Sequence, residues 1–152
     1  MKGSYGRFGA MIATSTAVML VLMYSNTYEL SHVYFSETRA YMALVMGAAM
    51  AIVMLAFMIG MYAKARWNAA IFAGAAVVFG VALYLVRSQA TVEDVSWMKA
   101  MIPHHSIAIL TSERAKITDP RVRKLADGII EAQRREIGEM KALIEELEQQ
   151  RR

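Results

Sequence analysis

AYMALVMGAAMAIVMLAFMIGMY, residues 40–62, runs for 23 residues without a charged side chain. As a helix it would reach ~34 Å, slightly more than the ~30 Å hydrocarbon core of a bilayer. A helix buried in a soluble core usually keeps a polar edge, and this stretch is apolar on every face. It therefore reads as a membrane span.

Two flanking stretches share its character. Residues 8–24 are uncharged but contain Thr and Ser, and residues 69–86 are apolar throughout. The first resembles a signal peptide, but no small-x-small cleavage site follows it before YSNTY at residues 24–28, so it reads as an uncleaved anchor. Charge divides the chain in the same way. Residues 1–90 carry eight charged side chains: Lys2, Arg7, Glu29, Glu37, Arg39, Lys64, Arg66 and Arg87. Residues 91–152 carry eleven acidic and eleven basic residues. The expected organisation is a membrane domain over 1–90 and a polar helical domain over 91–152.

Positive charge orients the spans. Lys2 and Arg7 precede the first, and Lys64 and Arg66 lie between the second and third. Both places are expected in the cytoplasm of a bacterial inner membrane. The loop holding Glu29, His32 and Glu37 then faces outward, with the polar domain in the periplasm or outside the cell. Tyr28, His32 and Tyr34 on that loop read as interfacial anchors near the base of the polar domain. Acids and bases are interleaved in the second half, so it offers no basic stripe for nucleic acid. The absence of cysteine excludes disulfides and thiolate metal sites.

Within the polar domain, Thr91 and Asp94 have capping-box spacing before a helix expected over 92–116. Asp119 and Pro120 suit the N-cap and first position of a second helix ending near residue 148. Its apolar stripe is Val122, Leu125, Ala126, Ile129, Ile130, Ile137, Met140, Ile144 and Leu147. So short a link makes the pair an antiparallel hairpin. A turn near residue 118 faces Met98 to Met140, Met101 to Glu136, His104 to Gln133 and Ala108 to Ile129. One hairpin buries little, so a second copy, or the loop at residues 25–39, is needed to cover the stripe, and a homodimer closing a four-helix bundle is the expected solution. The fold class is all-α: three transmembrane helices, then the hairpin.

The chemistry centres on WMKAMIPHHSIAI, residues 97–109. Met98, Met101 and His105 are spaced by three and four on one helix face, with His104 about 100° round. Pro103 frees the Lys99 carbonyl from its helix bond. Thioether and imidazole together favour Cu(I) or Ag(I). Gln133 and Glu136 could orient an imidazole, or form a solvated polar face. A second sulfur pattern, Met42, Met46, Met50, Met54 and Met58, reads better as adaptable packing than as a thioether track. No H-E-x-x-H, phosphate loop or nucleophile elbow occurs, and no repeated Glu-x-x-His supports a diiron site.

The residues 97–109, 119–126 (DPRVRKLA) and 129–140 (IIEAQRREIGEM) resemble the DUF305 family, a ferritin-like helical domain of bacterial membrane-anchored and secreted proteins. The three-span front resembles a membrane subgroup. The resemblance implies copper or silver binding, with Met98, Met101, His104, His105 and Met140 as ligands and Gln133 and Glu136 beside them. Leu110 and Thr111 stand where the family often has a methionine. The expected function is a non-enzymatic, membrane-anchored Cu(I)-binding protein in sequestration or tolerance, with a periplasmic metal-handling protein as partner. Two other readings stand beside it: a non-catalytic scaffold or regulator binding a partner through the hairpin, and a metal-dependent oxidoreductase.

Overall fold

The computed structural model describes residues 4–151. Lys2 lies outside the described residues. The described chain forms five α-helices: α1 Tyr5–Leu22, α2 Glu37–Phe57, α3 Ala65–Ser88, α4 Asp94–Arg114 and α5 Pro120–Gln150. Short 3-10 turns occupy Leu30–His32 and Ile59–Met61. Two compact units result. Unit one takes the chain to Met23 and then Thr38–Thr91; unit two takes Tyr24–Glu37 and Val92–Arg152.

Helices α1, α2 and α3 are each long and apolar enough to cross a membrane. The second ends at Phe57, short of the expected Tyr62, so Met58 and Met61 fall in the following turn. Phe8, Ala51, Leu55 and Tyr62 form the core of unit one, with Met54 and Met58 packed against it. Helices α1 and α2 approach so closely that a Cβ at Gly47 would collide with Thr16. Small residues permit so close an approach of two helix backbones. Helix α3 ends on Gln89 in the left-handed region at φ 53°, a place glycine usually takes. Its side-chain amide donates to Val86 O at 2.7 Å, which ties the cap back to the helix.

In unit two, α4 and α5 pack as an antiparallel hairpin. The seam on α4 is Val95, Met98, Ile102 and Ile109, and on α5 Ile137, Met140 and Ile144. Spacings of three and four keep these residues on facing stripes. The Asp119–Pro120 start is as expected: Asp119 Oδ1 accepts from Arg121 N at 2.8 Å. The expected capping box is absent. Glu93 is the N-cap and makes no side-chain cap bond. Thr91 Oγ1 lies instead 2.8 Å from the Tyr41 hydroxyl, which removes it from the helix end.

The hairpin register also differs. Met98 and Met140 share one core cluster, but Glu136 meets His105, one turn along α4 from Met101. Cα–Cβ bonds lean toward the N-terminus of each helix, so side chains in an antiparallel pair meet beyond their Cα levels. The stripe on α5 is only partly covered. Ala126, Ile137, Met140 and Ile144 are buried, whereas Val122, Leu125 and Ile129 are exposed. One facing helix cannot cover the whole apolar arc of a 31-residue helix.

Candidate functional site

The His-Met segment separates into parts with different surroundings. Met98 and Met140 lie inside the apolar seam, and Met101 packs against its edge. Their thioethers fill the gap between helices as unbranched side chains do. His104 is exposed, with its ring centroid 6.3 Å from that of His105. Gln133 is half-buried along a groove of α5 with Leu125 and Ile129.

His105 occupies the seam position between Ile102 and Ile109, where the three-four rhythm would place an apolar residue. Its Nδ1 faces Met101 O at 3.0 Å and its Nε2 faces Glu136 Oε2 at 2.8 Å. Both neighbours are acceptors, and a neutral imidazole has one N–H. The His105 Nε2 and the Glu136 carboxylate thus bridge α4 and α5. A polar pair set in an apolar seam costs stability when shifted, because either slip leaves a group without its partner.

This geometry overturns the expected copper site. Among the described residues, no group of three or more His, Cys, Asp or Glu side chains is placed to hold a metal ion. Both ring nitrogens of His105 already face neighbouring oxygens, Met101 O and Glu136 Oε2, and Met98 and Met140 are packed in the apolar seam. The Cu(I) or Ag(I) cofactor, the metal-binding role and sequestration as the function are withdrawn on these grounds.

A second polar node was not legible in the motif. Ser106 is fully buried on α4. Tyr28 N donates to Ser106 Oγ at 2.7 Å, and His32 Nδ1 lies 3.0 Å from the same oxygen. The hydroxyl keeps one proton to donate, which neutral His32 Nδ1 accepts. His32 is buried, with Nε2 3.7 Å from Glu29 Oε2. Tyr28 and Tyr34 pack against the hairpin seam, and Lys141 Nζ reaches Ser31 Oγ at 3.4 Å. The segment 24–37 thus folds onto the hairpin as a strap, the loop cover that the uncovered stripe allows for, so Tyr28, His32 and Tyr34 serve as hairpin contacts and not as the interfacial anchors expected.

Burial pushes the His32 pKa below its ordinary 6.5; Lys141 adds to this and Glu29 opposes it. The folded unit therefore favours neutral His32. The unfolded chain protonates near the ordinary value, so this contribution is complete above pH 6.5 and is lost as pH falls through the lowered folded value. Below that ordinary value, denaturant stability of unit two should fall by up to about 1.4 kcal/mol per pH unit, and His32→Asn should remove that slope. Equal slopes in parent and variant would rule out His32 as the titrating group.

Comparison with known proteins bears on unit two. Residues 94–152 match the family described as "Domain of unknown function (DUF305)". The chain is also similar to an uncharacterized protein of Acanthamoeba polyphaga mimivirus, at 40% identity over 68 residues. That alignment covers 43% of this chain and 45% of the relative, so the chain spans less than half the length of the curated relative it matches. No solved structure matches the chain.

Proposed function

Starting from a DUF305-like hairpin behind three apolar helices, we propose that this protein is a membrane-anchored, non-catalytic scaffold or regulator that binds a partner through α4 and α5. One observation carries the reading. Val122, Leu125 and Ile129 stand 49%, 65% and 37% exposed on a single edge of α5. They flank Gly128, beside which a side chain would meet nothing within 4 Å. An apolar strip next to a small residue accepts a further helix. A second copy supplies one, and two hairpins then close a ferritin-like four-helix bundle.

The membrane reading follows from the three spans. Arg7 lies in the first turn of α1, and Lys64 and Arg66 precede and open α3, so these ends lie in the cytoplasm and the hairpin lies outside a bacterial inner membrane. The two stretches of unit two support this. They are separated by α2 and α3, two crossings, so the strap and the hairpin emerge on one side.

The test is the mass of the full chain in detergent micelles, read by light scattering, with cross-linking through cysteines placed at residue 129. Dimers are expected for the parent. Leu125→Asp and Gly128→Leu should weaken association at least about tenfold while each chain keeps its helicity. A parent that stays monomeric and gives no cross-link sinks the self-association reading.

A further inference from the structure

Unit one contains an apolar groove of about 870 Å³ between α1, α2 and α3. Small residues form its walls: Gly9 and Ala13 from α1, Gly47 and Ala51 from α2, and Gly74 from α3. Side chains added at Gly9 or Gly74 would meet nothing within 4 Å, so the space is open at both. The groove asks for no hydrogen bond. Thr16 Oγ1 lines it but donates to Ile12 O at 2.8 Å. No charged residue lines it. Only hydrocarbon fills such a space without stranding a polar group of its own.

One end is different. Tyr5 and Trp67 line it, their ring centroids 6.2 Å apart. The Tyr5 hydroxyl lies 2.8 Å from Asn68 Oδ1 and 3.2 Å from Lys64 N, which ties the starts of α1 and α3 together. Arg7, in the first turn of α1, and Lys64 and Arg66, at the start of α3, belong to the same two helix ends, and all three are exposed. None of them forms an ion pair among the described residues. The reason lies in the sequence: residues 1–23 and 38–91 contain no Asp or Glu. Helix α3 also begins without a side-chain cap, so its first N–H groups add positive field at the same place. Aromatic rings of this kind settle at headgroup level, with the hydrocarbon on one side and phosphate on the other.

We propose that the groove holds one acyl chain of an anionic phospholipid, with its phosphate among Arg7, Lys64 and Arg66. The apolar walls select hydrocarbon, and three cations without a counter-ion in their unit select negative charge. A zwitterionic lipid carries its own cation into that cluster and loses the advantage.

The experiment uses the full chain, stripped of lipid in detergent and incubated with phosphatidylglycerol or with phosphatidylcholine of the same acyl chains. Native mass spectrometry counts the lipid retained. The parent should keep one phosphatidylglycerol per chain with a preference of at least about tenfold over phosphatidylcholine. The triple variant Arg7→Gln, Lys64→Gln, Arg66→Gln should lose the preference. Gly74→Leu, which fills the groove, should retain neither lipid. Gly9→Leu on the opposite wall gives the same readout should Gly74→Leu fail to fold. Equal retention of the two lipids by the parent overturns the proposal, as does undiminished retention by a folded groove-filling variant. A filling variant that turns dimers into monomers also overturns it, and assigns the groove to a helix of a second copy.

Discussion

Ile102→Ala should destabilise unit two by about 2–5 kcal/mol, the range for removing a buried aliphatic side chain from a packed core. Ile102 is fully buried at the middle of the α4 seam, between Met98 and His105. Its loss leaves a cavity that neighbours on two rigid helices cannot close. Folded domains carry ~5–15 kcal/mol in all, so this one change takes a large share of the margin. Denaturant unfolding followed by the fluorescence of Trp97, which lies on α4, reads the change. A cost below about 1 kcal/mol would mean that the seam is loosely packed and is not the core of the unit.

Ser106→Ala should be nearly as damaging, for a different reason. The hydroxyl serves two partners, Tyr28 N–H and His32 Nδ1, on a segment more than seventy residues away in the chain. Alanine fits the space but serves neither. Each buried polar group left without a partner costs roughly 1–3 kcal/mol. The Tyr28 amide should then exchange with solvent faster, and the strap should be cut more readily by protease, while α4 and α5 stay paired through His105 and Glu136. Retained protection at Tyr28 in the variant would show that the aromatic packing of Tyr28 and Tyr34 holds the strap unaided.

These two residues also mark what could be read from the chain alone. Ile102 belongs to a three-four rhythm, which announces a buried helix face wherever it occurs. The same rhythm disclosed the hairpin, and Asp119 with Pro120 placed the start of α5 correctly. The absence of charge between residues 40 and 62 disclosed α2. Ser106 announces nothing, because a single hydroxyl has no period and its partners are distant in sequence. The histidine pair was misread for a related reason. Ligand types at helical spacing state which atoms are available, but not whether a carbonyl and a carboxylate already occupy them. His105 has both neighbours, and Met98 and Met140 turned out to be filling the seam. Thr91 failed as a cap because Tyr41, fifty residues earlier, takes its hydroxyl.

The strap has a consequence for the order in which the molecule is made. Its residues, 24–37, leave the ribosome before Thr38–Thr91, and the hairpin that receives them follows that stretch. At ordinary synthesis rates Tyr28, His32 and Tyr34 wait for several seconds with no surface to dock on. Contacts of such long sequence separation form late and slowly. A hairpin expressed without residues 24–37 would meet the converse problem, with Ser106 and the Ile109 side of the seam uncovered. Unit two is therefore not a continuous segment of chain: its folding closes only when two stretches more than fifty residues apart have both been made.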